Sequence, residues 1–151
     1  MQKENDSQKW YYDACALDND KNTYKEIFSN NKHRKIESLA SNLSVGEAYG
    51  NSYRKKGKEA ADSFMNLMRV LNKTGAFKIV DHCDIKKLFF EIVENFPRLD
   101  IPDAIHLATA IKNGCCNLRT VDSDLYKIPA KDIRDLAKKF QAHNFAITKM
   151  I

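Results

Sequence analysis

The chain has 151 residues, 43% of them hydrophobic and 30% charged, with only five glycines and three prolines. That balance excludes a disordered chain, and the length suits one α/β core rather than two ordinary domains, so residues 1–151 are expected to form a single unit. The net charge of +5 permits a polyanionic partner without requiring one.

Trp10-Tyr11-Tyr12 starts the first apolar segment, which runs through Asp13-Ala14-Cys15-Ala16-Leu17 into a polar stretch, the pattern of a strand ending in a loop. Asp13 falls at the C-terminal end of that strand. Tyr24, Ile27 and Phe28 are spaced for a short helix over Thr23 to Asn30, and Arg34 to Ala40 reads as a second strand. From Ser44 onward, Val45, Ala48, Tyr49, Phe64, Leu67, Met68 and Leu71 recur every three or four residues around the basic run Arg54 to Lys58, which predicts one long or broken helix. Phe77 to Val80 is a third strand, and Ile85 to Phe96 returns to helical spacing. Asp103 to Lys112 is apolar over most of its surface, hence a buried helix, and Asn113-Gly114 is its stop signal. Cys115 to Val121 reads as a strand delivering Asp122, Pro129 opens a helix over Ala130 to Ala142, and Phe145 to Ile147 is a last strand.

No apolar run approaches the roughly 18 residues of a membrane helix, and the start Met1 to Asp6 lacks a signal-peptide layout. No membrane partner and a cytoplasmic location are therefore expected. The four cysteines lack zinc-ligand spacing and are read as free, mostly buried thiols.

Alternating strands and helices favour a largely parallel sheet, and such sheets bind ligands at the C-terminal ends of their strands. Asp13 and Asp122 each follow a strand, while Glu47 and Asp103 lie in the first turns of helices that can point to the same edge. Four gathered carboxylates repel one another unless divalent metal neutralises them, and an all-oxygen set suits Mg²⁺ or Mn²⁺ better than zinc. Each acid also has a purely structural reading. Ser44-Val45-Gly46-Glu47 is a capping box, Asp100-Ile101-Pro102-Asp103 is a helix start, Asp13 fits a turn, and Asp122 fits an Asx-turn before Asp124.

Taken jointly, the pattern resembles the PIN-domain family, especially the VapC-type toxin ribonucleases of prokaryotic toxin–antitoxin pairs. Tyr12 to Leu17 is similar to the family's first acidic motif, Leu43 to Glu47 to its second, Asp103 to Ala110 to its third, and Leu118 to Leu125 to its fourth. The resemblance spans nearly the whole chain and implies a three-layer α/β fold with a mostly parallel central sheet flanked by helices. It also implies a metal site of Asp13, Glu47, Asp103 and Asp122, with Thr120 ordering the attacking water and Asp124 as a further acid ranked behind Asp122. Cys15 stands where the family often has Ser. His106, three residues beyond Asp103, is read as a packing or hydrogen-bonding residue rather than a catalytic one. The basic run Arg54 to Lys58 reads either as an RNA-backbone contact or, more commonly for such runs, as a solvated helix face.

The function implied by the resemblance is a Mg²⁺- or Mn²⁺-dependent endoribonuclease, the toxin of a type II pair, with an RNA substrate, a cognate antitoxin protein and a homodimeric state. The competing readings are a PIN-type RNA-processing or antitoxin- or RNA-binding component with little activity of its own, and a structure-specific DNA nuclease.

Overall fold

A computed structural model of the chain describes residues 8–18, 20–33, 35–82 and 84–150. Five strands, β1 (Gln8–Tyr12), β2 (Ile36–Ser41), β3 (Lys78–Val80), β4 (Asn117–Thr120) and β5 (Ala146–Lys149), form one sheet in the order β3-β2-β1-β4-β5. Every pairing is parallel. Among the described residues eight helices connect them: α1 (Ala14–Asp18) and α2 (Asp20–His33) lead from β1 to β2, and α3 (Asn42–Lys56) and α4 (Lys58–Thr74) lead to β3. Next, α5 (Lys86–Asn95) and α6 (Ile101–Lys112) lead across to β4, and α7 (Ser123–Tyr126) and α8 (Ala130–Lys139) lead to β5.

The alternation of side chains along a strand divides the core into two layers. Tyr11, Leu39 and Leu118 project into one, packed against α5, α6 and α8 through Leu88, Ile92, Leu107, Ile111, Ile133 and Leu136. Tyr12 and Ala40 project into the other, with Leu17, Ile27, Val45, Ala48, Met68 and Leu71 from α1 to α4. The expected three-layer α/β architecture is thus present, and the sheet is wholly parallel.

The chain builds outward from β1 to β2 and β3, then returns to place β4 on the other side of β1. Helices following β1 and β2 cover one face, and those following β3 and β4 cover the other. Between β1 and β4 the connections therefore diverge, leaving a crevice at the strands' C-terminal edge, the topological switch point where open parallel sheets hold ligands. Asp13 follows β1 directly, and Asp122 lies two residues beyond β4.

Some local expectations change. Residues 14–18, where the strand is expected to end in a loop, form the short helix α1, because Asp13 Oδ1 accepts the Ala16 N–H at 2.8 Å and starts a helical turn. The long helical stretch breaks at Gly57, whose φ of 89° leaves the helical region, and Asp122 caps a four-residue helix, α7, absent from the reading of the sequence. Cys115 is buried and Cys15 and Cys116 are half-buried; all three are free thiols, and Cys83 lies outside the described residues. Among the described residues, no helix is long and apolar enough to cross a membrane.

Candidate active site

Asp13 is 1% exposed, and both its oxygens are engaged: Oδ1 by the Ala16 N–H and Oδ2 by the Thr120 hydroxyl at 2.5 Å. Thr120 Oγ1 in turn accepts the Asp122 N–H at 2.9 Å, so one buried hydroxyl ties the end of β1 to the turn after β4. Burial raises the Asp13 carboxyl above its ordinary range, against the lowering effects of Thr120, the Ala16 N–H and His106. Asp122 Oδ1 accepts the Asp124 N–H at 2.9 Å, which makes Asp122 the N-cap of α7. The Asx-turn expected there exists, and it occupies one of the two carboxylate oxygens.

Asp103 lies in the first turn of α6, where Asp100 is the N-cap and accepts the Asp103 N–H at 2.9 Å. Capping thus uses the backbone of Asp103 and leaves its buried carboxyl to face the other acids. That carboxyl is pushed up to about 8, first by burial and then by the charges of Asp122, Asp100 and Asp13.

The capping box expected at Glu47 does not form. The N-cap of α3 is Ser41, whose hydroxyl accepts the Ser44 N–H at 3.0 Å, so Glu47 belongs to the second turn and caps nothing. Its Oε1 is buried without a hydrogen bond and lies 3.4 Å from His106 Nε2, which likewise lacks one. Ser44 joins a buried network instead. Tyr11 Oη donates to Ser41 Oγ at 2.8 Å and lies 2.9 Å from both Ser44 Oγ and His106 Nδ1, and Ser44 Oγ is 3.2 Å from that nitrogen. Tyr11's one hydroxyl hydrogen goes to Ser41, so Ser44 is the hydroxyl that can donate to Nδ1; with Nε2 facing only a carboxylate, that arrangement puts the ring proton on Nε2.

Cys15 reports the convergence of the acids. Its thiol is pushed up to about 12 by burial and then by the charges of Asp13, Asp122, Asp103 and Glu47, so all four predicted acids act on one half-buried atom. Asp124 is placed differently: it is exposed and lines a separate cavity of about 440 Å³ between the α5–α6 loop and α7, with Phe96, Arg98, Leu99 and Lys127 among its neighbours. The roles of Tyr11, Ser41 and Ser44 were not legible in the sequence. The available signal was the two serines interspersed with Leu39, Ala40, Leu43 and Val45, at positions where a buried hydroxyl needs a partner.

Among the described residues, no three His, Cys, Asp or Glu side chains converge closely enough to hold a metal ion as they stand. The chemistry of the acids nevertheless fits a hard cation. The largest influences on Asp13 and Asp103 include no lysine or arginine, and Glu47 Oε1 is a buried acceptor that makes no hydrogen bond.

The PIN-domain family model matches residues 13–131, and the chain belongs to that family of nucleases. No curated protein matches it. Three solved structures are similar in fold. The first is VapBC2 from Rickettsia felis, solved bound to a DNA fragment from its promoter, with 14% identity, a TM-score of 0.66 and coverage of 95% of this chain and 100% of that one. The second is VapC20 from Mycobacterium tuberculosis, a sarcin-ricin loop cleaving toxin, with 16% identity, a TM-score of 0.57 and coverage of 76% and 91%. The third is PAE2754 from Pyrobaculum aerophilum, with 23% identity, a TM-score of 0.52 and coverage of 90% and 98%.

Proposed function

We propose that this PIN-domain nuclease is a Mg²⁺- or Mn²⁺-dependent endoribonuclease and the toxin of a type II toxin–antitoxin pair, acting as a homodimer and restrained by a cognate antitoxin protein. The observation that carries the reading is that the charges of Asp13, Glu47, Asp103 and Asp122 all act on the Cys15 thiol, while the largest influences on Asp13 and Asp103 include no lysine or arginine. These four would hold the metal, with Asp124 outside the set. A bound divalent cation would supply an activated water for attack on a phosphodiester and charge stabilisation for the leaving oxygen.

The chain's own residues supply position. Thr120 and the Ala16 N–H fix the two oxygens of Asp13, and Asp100 fixes the backbone from which Asp103 projects. Burial and the four acids push the Cys15 thiol up, which disfavours its thiolate, and the proposed reaction assigns it no nucleophilic role. The toxin and RNA assignments draw on the fold shared with VapBC2 and with VapC20, a sarcin-ricin loop cleaving toxin.

The test compares cleavage of one mixed sequence as single-stranded RNA and as DNA, with Mn²⁺ or with EDTA, by wild type, Asp13→Asn and Asp103→Asn. RNA should be cut only by wild type with metal. Undiminished cleavage in EDTA or by either variant would falsify the metal mechanism, and preferential cutting of DNA would overturn the substrate assignment. Growth arrest on expression, relieved by the cognate antitoxin, tests the pairing, and light scattering tests the dimer.

A further inference from the structure

The chain has five glycines. Gly57, Gly75 and Gly114 take positive φ, where glycine is the residue of choice. The other two, Gly46 and Gly50, lie within helix α3, where glycine is a poor helix former. Neither has a positive φ. A Cβ at Gly46 would meet nothing within 4 Å, so packing does not demand glycine there. At Gly50 a Cβ would meet only Arg54, with Nη1 at 3.3 Å and Nη2 at 3.7 Å. Gly50 thus gives the Arg54 guanidinium room to lie back along the helix.

These positions floor a groove of about 460 Å³ lined by Asn42, Leu43, Gly46, Glu47, Gly50, Arg54 and His82. Its walls are set by α3 and by the turn after β3, where His82 Nδ1 lies 2.5 Å from Asn42 Oδ1. Glu47 opens one end onto the acid cluster. At the other end Arg54 is steadied by Asn51 Oδ1 at 2.6 Å and has no carboxylate partner among the described residues. The guanidinium lies over Gly50, three residues, or ~4.5 Å of helix rise, from Glu47.

We propose that this groove binds the sugar–phosphate backbone of single-stranded RNA beside the cut, with Arg54 holding the phosphate next to the scissile one and Gly46 and Gly50 admitting the strand close to the helix. The inference rests on the nuclease reading and adds the path of its substrate. A floor without side chains suits a polymer backbone rather than an isolated small ligand. The guanidinium, without a carboxylate partner among the described residues, selects an anionic strand, offering two parallel donors to a phosphate. Part of the basic run at residues 54–58 is thereby given a task that its composition alone did not assign.

The experiment measures binding of a mixed-sequence, fluorescently labelled single-stranded RNA across a salt series, in Mn²⁺ and in an Asp103→Asn background that prevents cleavage. Gly46→Leu, Gly50→Leu and Arg54→Ala are each introduced, with thermal melting as the folding control. Each substitution should weaken binding roughly tenfold without lowering the melting temperature. Arg54→Ala should also reduce the slope of log affinity against log salt by about 0.7, one single-strand phosphate contact. Arg54→Lys should restore the slope, and Gly46→Ala should melt no lower than wild type while binding more weakly. Wild-type affinity in both leucine variants, or an unchanged salt slope in Arg54→Ala, overturns the groove. If the parent protein does not bind the RNA and wild type does not cut it, the nuclease reading fails as well, whereas cutting with groove variants that bind normally defeats this inference alone.

Discussion

Thr120 donates its hydroxyl hydrogen to Asp13 and, through the same oxygen, accepts the backbone N–H of Asp122, so a 0% exposed side chain fixes the relation between two acids that lie 109 positions apart in the chain. Thr120→Val keeps the volume and removes both bonds, leaving the Asp122 N–H and Asp13 Oδ2 without that partner. Stability to urea should fall by about 1–3 kcal/mol. RNA cleavage should fall roughly 10–100-fold, the usual penalty for losing a group that orients a ligand. Thr120→Ser, which retains the hydroxyl, should recover most of both.

A second prediction concerns pH. Burial and its acidic neighbours push the Asp103 carboxyl up to about 8, from an ordinary value near 3.8. Between those values the unfolded chain has released this proton and the folded chain still holds it, so stability falls as pH rises. The contribution is fully present below pH ~4 and is lost by pH ~8. Burial raises Asp13 in the same direction. Melting temperatures in EDTA should therefore decline from acid to pH 8, and Asp103→Asn should flatten the decline. Mn²⁺ should restore stability most at the alkaline end, where the acids are ionised and binding to the folded state is strongest. A melting profile in EDTA that rises over this range would contradict the assignment.

Much of this site was legible in the sequence because its acids sit at ends of elements, where composition changes abruptly. Asp13 follows an apolar strand, Asp103 follows a proline at a helix start, and Asp122 precedes a polar turn. Glu47 was harder. Serine three residues before glutamate has the pattern of a capping box, but strand β2 runs on to Ser41 and the helix starts earlier, which moves Glu47 into its second turn. Boundaries of this kind depend on pairing with β1 and β3, a non-local interaction that no short window contains. The Tyr11, Ser41, Ser44 and His106 network was hidden for the same reason, since its members come from β1, the end of β2, α3 and α6.

His106 is held at one nitrogen and faces Glu47 with the other, which allows the two contacts to be separated by choice of amide. His106→Asn places an amide near the position of Nδ1 and should keep the contacts to Tyr11 and Ser44 while losing the one to Glu47. His106→Gln reaches the position of Nε2 and should do the reverse. The asparagine variant should hold its stability within about 1 kcal/mol of wild type but bind Mn²⁺ roughly tenfold more weakly. The glutamine variant should lose more stability and retain Mn²⁺ affinity. Titration calorimetry and urea denaturation read the two effects independently, and equal losses of affinity in both variants would refute a specific role for the Glu47 contact.

Arg119 provides a contrast away from the acids. Its Nη2 and Nε donate to Glu26 Oε1 at 2.5 Å and Oε2 at 3.1 Å, and its guanidinium lies 5.5 Å from the centre of the Trp10 ring. Nη1 also donates to Thr148 Oγ1 at 3.0 Å, and Tyr12 Oη donates to Glu26 Oε2 at 2.7 Å. One ion pair thus links α2, β1, β4 and β5. Strand alternation turns Arg119 to the face opposite Leu118 and Thr120, away from the layer built on α6. Arg119→Met removes one partner of a mostly buried pair and leaves the Glu26 charge uncompensated, which should cost about 2–4 kcal/mol, below the cost for a fully buried pair because both side chains keep some contact with water. Added salt should recover little of that loss, since buried pairs are weakly screened. Affinity for Mn²⁺ should remain that of wild type at temperatures where the variant is folded, whereas Thr120→Val, one residue away, should weaken it; a matching loss of affinity in Arg119→Met would show that the sheet's two faces are coupled at this edge.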